Sequence, residues 1–411
     1  MKNRNPFVMA FLAIVIAVAL FTLRFPGQKQ NELSCIKPHL AMIPSPMPQE
    51  NPRTVTPRAP LIVPAWWKPL LNAEQQAQHE NITLNLKFYS AQDILAYDNQ
   101  IWIAHANGLV RFDAIYNEFK TYQIQVDSLP KYYGFVALHL LNGEILAILS
   151  SSESALAKYD SKKDEFLVIH DKDGLLSREH GPTVDGKPLM GELSNGKLVF
   201  VLGWEIFTYD RVNQRAEKLL GLESGIRVNT IAVSKDDTVW FTTVNDHVIR
   251  SLNPETGKLI AYGGPPSLMR DEVIQTGLAQ DSSRAITVDS KGRVWVGYFD
   301  RLELDESGNY KWYEVKRPTI FVDDTHIYDT YDRAVYVYKW TPVYSVNEFS
   351  DANLWFVTGV GAVAYDLDED NWCWSAIQPF WGDAFSLIAE DESGDIWTVD
   401  GETKQIYKLE R

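Results

Sequence analysis

One short pattern recurs seven times from residue 100 onward, and it constrains the fold more than any other feature of the chain. Each copy is a short apolar strand that follows a hairpin-turn sequence such as LNGE or SKGR. The copies are QIWIA, EILAI, KLVFV, TVWFT, RVWVG, NLWFV and DIWTV, centred on Trp102, Leu146, Val199, Trp240, Trp295, Trp355 and Trp397. A spacing of roughly 40 to 60 residues between copies predicts a repeat architecture.

Further strands accompany each copy. An apolar strand such as TIAVS or AITVD precedes it, and a third strand that often ends in Tyr-Asp follows it, as in LVRFD, LAKYD and IFTYD. A fourth strand such as FKTYQI or EFLVIH completes most units. Four antiparallel strands per unit are typical of a β-propeller blade. We therefore predict an all-β fold, a seven-bladed β-propeller of four-stranded blades, over residues 82–411.

Ring closure needs a strand from the start of the domain. The last unit contains SLIAE, DIWTV and IYKLE and lacks a fourth strand. Residues 82–89, ITLNLKFY, alternate apolar and polar side chains ahead of the first complete unit. Pairing them with the last unit would remove the exposed edges of an open ring. We predict that residues 82–89 are this closing strand.

The first 24 residues have the composition of a targeting segment. Lys2 and Arg4 precede an apolar run from Phe7 to Leu23, which Arg24 ends. A helix of this length just crosses a hydrocarbon core of about 30 Å. Two fates are open, an uncleaved transmembrane signal anchor or a signal peptide cleaved after residues 17–19, and the length favours the anchor. Both place the rest of the chain outside the cytoplasm, either on the membrane or secreted.

Residues 25–81 differ from both neighbours. They are rich in proline and show no sustained period, which predicts a semi-rigid linker between the membrane helix and the propeller. Trp66 and Trp67 near its end are either a recognition element or a contact where the linker docks. Cys35 and Cys373 are the two cysteines of the chain, so a disulfide framework and a cysteine zinc site are excluded. A single bridge between them and two separate thiols both remain open.

The charge of the chain restricts its partners. The formal net charge is −15 and the sequence has no block of Lys or Arg, which disfavours nucleic acid and anionic membrane surfaces. A small neutral or cationic ligand fits this charge better. Phosphate-binding glycine loops, His-Glu-x-x-His and Gly-x-Ser-x-Gly are also missing from the sequence. The enzyme classes that carry those motifs are therefore disfavoured.

IWIAHANGLVRFD and KGRVWVG carry a resemblance to a known family. The order of turn glycine, tryptophan, Gly-Leu and a final aromatic-Asp pair resembles the two-component-regulator propeller repeat, and more loosely the streptogramin-lyase propellers. The resemblance covers about residues 82–411 and is weakest in units two and three, where Leu146 and Val199 replace the tryptophan. It implies a propeller and specifies function poorly.

One face of the predicted disc collects the candidate binding residues. Loops from second to third strands and connections between blades meet there around the channel. Their candidates for ligand or partner binding are His105, Tyr132, Tyr133, Trp204, Arg227, His247, Arg301 and Trp381. His105 has no counterpart in the other repeats and is expected where a ligand would be met.

Histidines on this face are the candidates for acid-base chemistry. His105, His180 and His247 would be the bases, with Glu205 and Asp271 as carboxylates chosen by loop position alone. Since no spacing makes them converge, the sequence favours a structural role for each histidine. We assign no metal site and no cofactor, and a divalent cation would be needed only by a lyase-like enzyme.

Residues 316–342 form an insertion between blades five and six, longer than the other connections. Two alternating runs flank DTYD and predict a projecting hairpin with Tyr331 as a binding candidate. A partner-binding arm and a lid that contacts the neighbouring blade are equally open. Taken together, the sequence favours a ligand- or protein-binding sensory or scaffold module without catalytic activity. The alternative is a lyase or hydrolase that acts on a small molecule or glycan through His and carboxylate residues.

Overall fold

The computed structural model describes residues 67–69, 91–105, 108–122, 134–150, 154–176, 180, 188–221, 227–244, 248–262, 273–275, 285–297, 300–314, 319–321, 334–336, 343–358, 361–373, 387–399 and 406–409. Within these ranges the chain forms 31 strands and no helix. Seven sheets of four or five strands correspond to the seven predicted repeats, and one hairpin is added to them. The predicted seven-bladed β-propeller is confirmed.

The first strand among the described residues, β1 (Trp67–Pro69), belongs to the last blade. The first three blades are regular four-stranded meanders. Blade one contains β2 (Ala91–Tyr97), β3 (Gln100–His105), β4 (Gly108–Asp113) and β5 (Glu118–Tyr122). Blade two contains β6 (Gly134–Leu141), β7 (Glu144–Ser150), β8 (Ser154–Asp160) and β9 (Glu165–Val168). Blade three contains β10 (Met190–Glu192), β11 (Leu198–Leu202), β12 (Glu205–Asp210) and β13 (Arg215–Gly221).

Blade four has a fifth strand, which is parallel to its neighbour. It contains β14 (Arg227–Val233), β15 (Val239–Val244), β16 (Ile249–Leu252), β17 (Leu259–Tyr262) and β18 (Val273–Gln275). Blade five contains β19 (Ile286–Val288), β20 (Val294–Val296), β21 (Asp300–Leu304) and β22 (Tyr310–Glu314). The insertion contributes β23 (Thr319–Phe321) and β24 (Ala334–Tyr336). Blade six contains β25 (Val343–Glu348), β26 (Asn353–Thr358), β27 (Gly361–Asp366) and β28 (Asn371–Cys373), and blade seven contains β29 (Ile388–Glu390), β30 (Ile396–Val399), β31 (Ile406–Leu409) and β1.

The turn between third and fourth strands explains the Tyr-Asp ending of the repeat. The aspartate is the last residue of the third strand, and its carboxylate accepts hydrogen bonds from backbone N–H groups of the turn. Asp113, for example, accepts from the N–H groups of Ile115 and Tyr116. Asp160, Asp210 and Asp366 do the same in three other blades. The turn ends in a residue with left-handed φ, between 51° and 54°, at Asn117, Asp164, Gln214 and Asp370. The aspartate of the motif is therefore a turn-forming residue.

Apolar side chains from adjacent blades form the core. Large side chains at the centres of the second strands, such as Trp102, Trp240 and Trp295, are fully buried. One cluster joins Trp102 and Ala104 of blade one to Phe135 of blade two, and others join blades four to five and five to six. Innermost strands of neighbouring blades also contact one another, for example β2 with β6 and β14 with β19. Each blade is thus stabilised mainly by its neighbours.

Closure of the ring uses a different strand from the one that we predicted. The edge of β31 pairs with β1, with Trp67 opposite Leu409 and Pro69 opposite Tyr407. This position had been assigned to residues 82–89, which lie outside the described residues. Proline has no backbone N–H to donate to a neighbouring strand. An edge strand such as β1 tolerates Pro69 because it has a neighbouring strand on one side only. The first blade is joined to the last by the N–H of Asp98, which donates to Glu392 at 2.7 Å.

Other predictions fall on residues that the structure does not describe. These are the targeting segment 1–24, nearly all of the linker 25–81, Cys35 and Tyr331. Within the insertion, β23 and β24 pair antiparallel, as expected for a hairpin. In the part of the chain that is described, no helix has the length and apolar character needed to cross a membrane.

Candidate functional site

A cluster between blades one and two accounts for most of the conspicuous residues in IWIAHANGLVRFD. Trp102 of β3 lies opposite Arg111 of β4, whose guanidinium carbon is 5.5 Å from the centre of the indole ring. Arg111 donates to the hydroxyl of Tyr159 at 2.9 Å and to Asp164 at 3.1 Å, both in blade two. The hydroxyl of Tyr122 also donates to Asp164, at 2.6 Å. The tryptophan and arginine of the motif thus join two blades.

Blades five and six repeat this arrangement, and it includes Arg301. Arg301 of β21 lies opposite Trp295, with its guanidinium carbon 5.1 Å from the ring centre. It donates at 3.0 Å to both Tyr365 and Asp370. Burial acts to raise the pKa of Asp370, but hydrogen bonds from Arg301 and Tyr365 lower it to about 2. The structure therefore corrects our prediction that Arg301 faces a ligand, because its side chain is held between two blades.

His105 is also not presented to solvent. It is the last residue of β3 and is fully buried. Gly108 lies opposite it, and a Cβ at Gly108 would come within 3.4 Å of the imidazole and 2.9 Å of the carbonyl oxygen of Tyr122. The expectation that His105 meets a ligand is thus corrected: the backbone of the adjacent strands covers its ring.

His180 and Glu205, chosen from separate loops, lie together beside blade three. The Nδ1 atom of His180 is 3.4 Å from a carboxylate oxygen of Glu205, and Nε2 is 3.1 Å from the carbonyl oxygen of Leu175. The ring also contacts Phe207 edge to face at 5.1 Å. Only 2% of the His180 side chain is exposed, against 29% of Glu205. Buried contacts therefore fix the orientation of this imidazole.

Lys218 completes the cluster, although it was not among the residues predicted from the sequence. Its ammonium donates to Glu205 at 3.0 Å. In the pairing of β12 with β13, Lys218 lies opposite Phe207, and Phe207 is two residues from Glu205 along β12, so all three side chains are on the same side of the sheet. A shift of one residue in this register would turn Lys218 to the other side. Register is decided by strand pairing, so the sequence pattern of β13 alone could not reveal this contact.

Trp204 and Arg227 form the partly exposed edge of this region. Trp204 lies in the turn between β11 and β12, and Arg227 begins β14 of the next blade. The guanidinium carbon of Arg227 is 5.8 Å from the centre of the indole ring, a cation–π distance. We call His180, Trp204, Glu205, Lys218 and Arg227 the blade-three site.

The chemistry of His180 follows from its two contacts. The carbonyl oxygen of Leu175 can only accept, so the Nε2 atom beside it donates. Nδ1 is then the ring nitrogen that faces Glu205. The two contacts hold the imidazole in a fixed orientation beside the carboxylate.

Several predicted site residues lie outside the described residues. They are Tyr132, Tyr133, His247, Asp271, Tyr331 and Trp381. Among the residues that are described, no group of three or more His, Cys, Asp or Glu side chains is arranged to hold a metal ion. The blade-three site is therefore the described region where the predicted residues come together.

Solved structures with the same fold have very different sequences. The structure of streptogramin B lyase is 17% identical, covers 79% of this chain and 94% of its own, and has a TM-score of 0.52. The extracellular domain of the hybrid two component system BT3049 from B. thetaiotaomicron is 13% identical over 78% of this chain and 40% of its own, with a TM-score of 0.52. PorZ, a surface component of the type-IX secretion system of Porphyromonas gingivalis, is 12% identical over 78% of this chain and 46% of its own, also at 0.52. No family model and no curated protein matches the sequence. The likenesses show that the chain shares the β-propeller fold of these proteins.

Proposed function

We propose that the chain is an extracytoplasmic sensory or scaffold propeller that binds a ligand or protein partner at the blade-three site and catalyses no reaction there. One observation carries this proposal: Trp204 and Arg227 form a partly exposed cation–π contact, whereas His180 is buried and held in one orientation. Tryptophan and arginine are the residue types that contribute most to binding interfaces. The site thus has the residues of a binding surface.

The extracellular domain of BT3049 and the surface component PorZ support the proposed location. The apolar run from Phe7 to Leu23 supports membrane attachment. We propose a single-pass anchor with the propeller outside the cytoplasm. The test is protease treatment of intact cells followed by immunoblotting for the propeller. Protection of the propeller until the cells are lysed would contradict the proposed location, and recovery of the full-length chain from culture medium would contradict the anchor.

A second candidate function is a lyase or hydrolase. The contact of His180 with Glu205 and the fold shared with streptogramin B lyase favour it. For catalysis, the Nδ1 atom of His180 or the carboxylate of Glu205 would have to act as the base. Turnover of a small molecule or glycan that is lost in His180→Gln would replace the binding proposal with this one.

Binding is tested by co-purification from detergent-solubilised membranes of the native host. Trp204→Ala is compared with Tyr116→Ala, which removes a 72% exposed aromatic side chain from a turn between third and fourth strands, on the opposite face. We expect Trp204→Ala to lose the co-purifying species and Tyr116→Ala to keep them, with unchanged melting temperatures. Equal recovery with both variants would refute binding at the blade-three site.

A further inference from the structure

The blade-three site has a local charge opposite to that of the whole chain. The formal net charge of the protein is −15, which by itself favours neutral or cationic ligands. At this site, however, Glu205 accepts from Lys218 at 3.0 Å and contacts His180 at 3.4 Å. The one carboxylate of the site is therefore already neutralised. Arg227 adds a further positive charge, so the site is locally cationic.

Arg227 and Trp204 contribute donors that have no acceptor. In the described part of the structure, the guanidinium of Arg227 contacts the Trp204 ring and forms no hydrogen bond or ion pair. The indole N–H of Trp204 is buried and likewise has no acceptor among the described residues. A buried donor without an acceptor is costly, and Arg227 beside it is partly exposed and so accessible to a ligand. The two donors together indicate a ligand that accepts hydrogen bonds.

The geometry of arginine narrows the chemistry of that ligand. A guanidinium presents its N–H groups as a planar fork that matches the two oxygens of a carboxylate. The cation–π contact with Trp204 restrains the Arg227 side chain, and in the described part of the structure its N–H groups remain available to a ligand. Building on the proposed binding function, we propose that Arg227, supported by Trp204, binds a carboxylate group of the ligand. The carboxylate belongs either to an acidic sugar or to an acidic side chain of a peptide.

The experiment follows the indole N–H resonance of Trp204 by NMR on the full chain in detergent, with Trp204→Phe to assign the signal. The probes are glucuronate and N-acetylglutamate amide, with glucose and N-acetylglutamine amide as their uncharged partners and inorganic phosphate as a competing anion. We expect at least one carboxylate probe to shift the resonance and its uncharged partner to leave it unchanged. The carboxylate probe that binds more tightly identifies the source of the group.

Variants separate the carboxylate site from a general effect of charge. Arg227→Gln should weaken carboxylate binding about 10- to 100-fold, the loss expected for a charge-assisted pair, and Arg227→Lys should recover only part of it. Arg215→Gln is the matched control, because Arg215 lies in the neighbouring blade three and pairs with Asp173 at 3.2 Å. It should bind as the wild type does.

Three results would overturn the carboxylate proposal. They are equal binding of charged and uncharged partners, phosphate binding as tight as carboxylate binding, and unchanged affinity in Arg227→Gln. If Trp204→Ala still abolishes co-purification in those cases, the proposed binding function stands and its ligand class is wrong. If co-purification is insensitive to Trp204→Ala and no carboxylate binds, both proposals fail.

Discussion

Replacing Asp164 by Asn tests whether the cluster between blades one and two stabilises the propeller. Asp164 lies in blade two and accepts from Tyr159 at 2.5 Å and, across the blade interface, from Tyr122 at 2.6 Å and Arg111 at 3.1 Å. Lys120 also pairs with it. Asn tolerates the left-handed φ of 54° at this position, so the change removes charge without adding backbone strain.

The expected loss follows from these contacts. Asn keeps one acceptor oxygen, loses about one hydrogen bond worth about 1 kcal/mol, and loses two ion pairs. Those pairs are worth about 0.5–1 kcal/mol each, since the side chains of Lys120 and Asp164 are 41% and 35% exposed. The free energy of unfolding should therefore fall by about 2–3 kcal/mol, and the melting temperature of a propeller of this size by about 3–4 °C.

The assay is urea and thermal unfolding followed by circular dichroism. Glu165→Gln is the control in the same turn, since Glu165 has a 3.7 Å ion pair with Lys163 and both side chains are more than half exposed. Glu165→Gln should lower the free energy of unfolding by less than about 0.5 kcal/mol. Burial acts to raise the pKa of Asp164, but hydrogen bonds from Lys120 and Tyr122 hold it well below its usual range. The stabilisation by ionised Asp164 is therefore present above about pH 4 and decreases as the pH falls below it. The difference in free energy of unfolding between the wild type and Asp164→Asn should decrease over the same range. Equal losses in both variants, or a gap independent of pH, would refute the reasoning.

Two further predictions concern His139 and Gly191. Burial lowers the pKa of His139 from 6.5 to about 4, so His139 takes up a proton more readily in the unfolded chain than in the folded one. The free energy of unfolding should therefore fall by about 2 kcal/mol as the pH is lowered from 7.5 to 5. Urea midpoints should show this loss in the wild type and not in His139→Gln; parallel pH profiles would contradict it. A Cβ at Gly191 would lie 2.7 Å from Cγ2 of Val233 in the next blade, so Gly191→Ala should cost about 1–3 kcal/mol. Thermal unfolding should show that adding Val233→Ala to Gly191→Ala restores part of this stability. A double variant that is less stable than both single variants would argue against a steric cause.

Much of the fold was predictable because its signals are local. The apolar strands centred on residues such as Trp102 and Trp240 all appear as second strands, including QIWIA and TVWFT. Turn residues such as Asn142 and Gly143 adopt the positive φ that a tight hairpin requires. Closure was the exception. A long alternating segment looked like the better strand, yet the short β1 holds the place beside β31.

The candidate site was predictable only in part. Loop position selected His180, Glu205, Trp204 and Arg227 as candidates without predicting which of them meet, and the structure places His180 beside Glu205 and Trp204 beside Arg227. The same criterion failed for His105 and Arg301, because it says which end of a strand a residue occupies and not which way its side chain points. Both side chains are enclosed by neighbouring strands or blades.

By itself the sequence determined the seven repeats, the strand periodicity and the turn chemistry, since each depends on residues close together in the chain. Only the tertiary structure decided which side chains are joined across blades and which are left exposed. Asp164 reaches Arg111 across 53 positions of sequence, and Lys218 reaches Glu205 from the neighbouring strand. Such contacts depend on strand register and on the approach of neighbouring sheets, and a shift of one residue would reverse them.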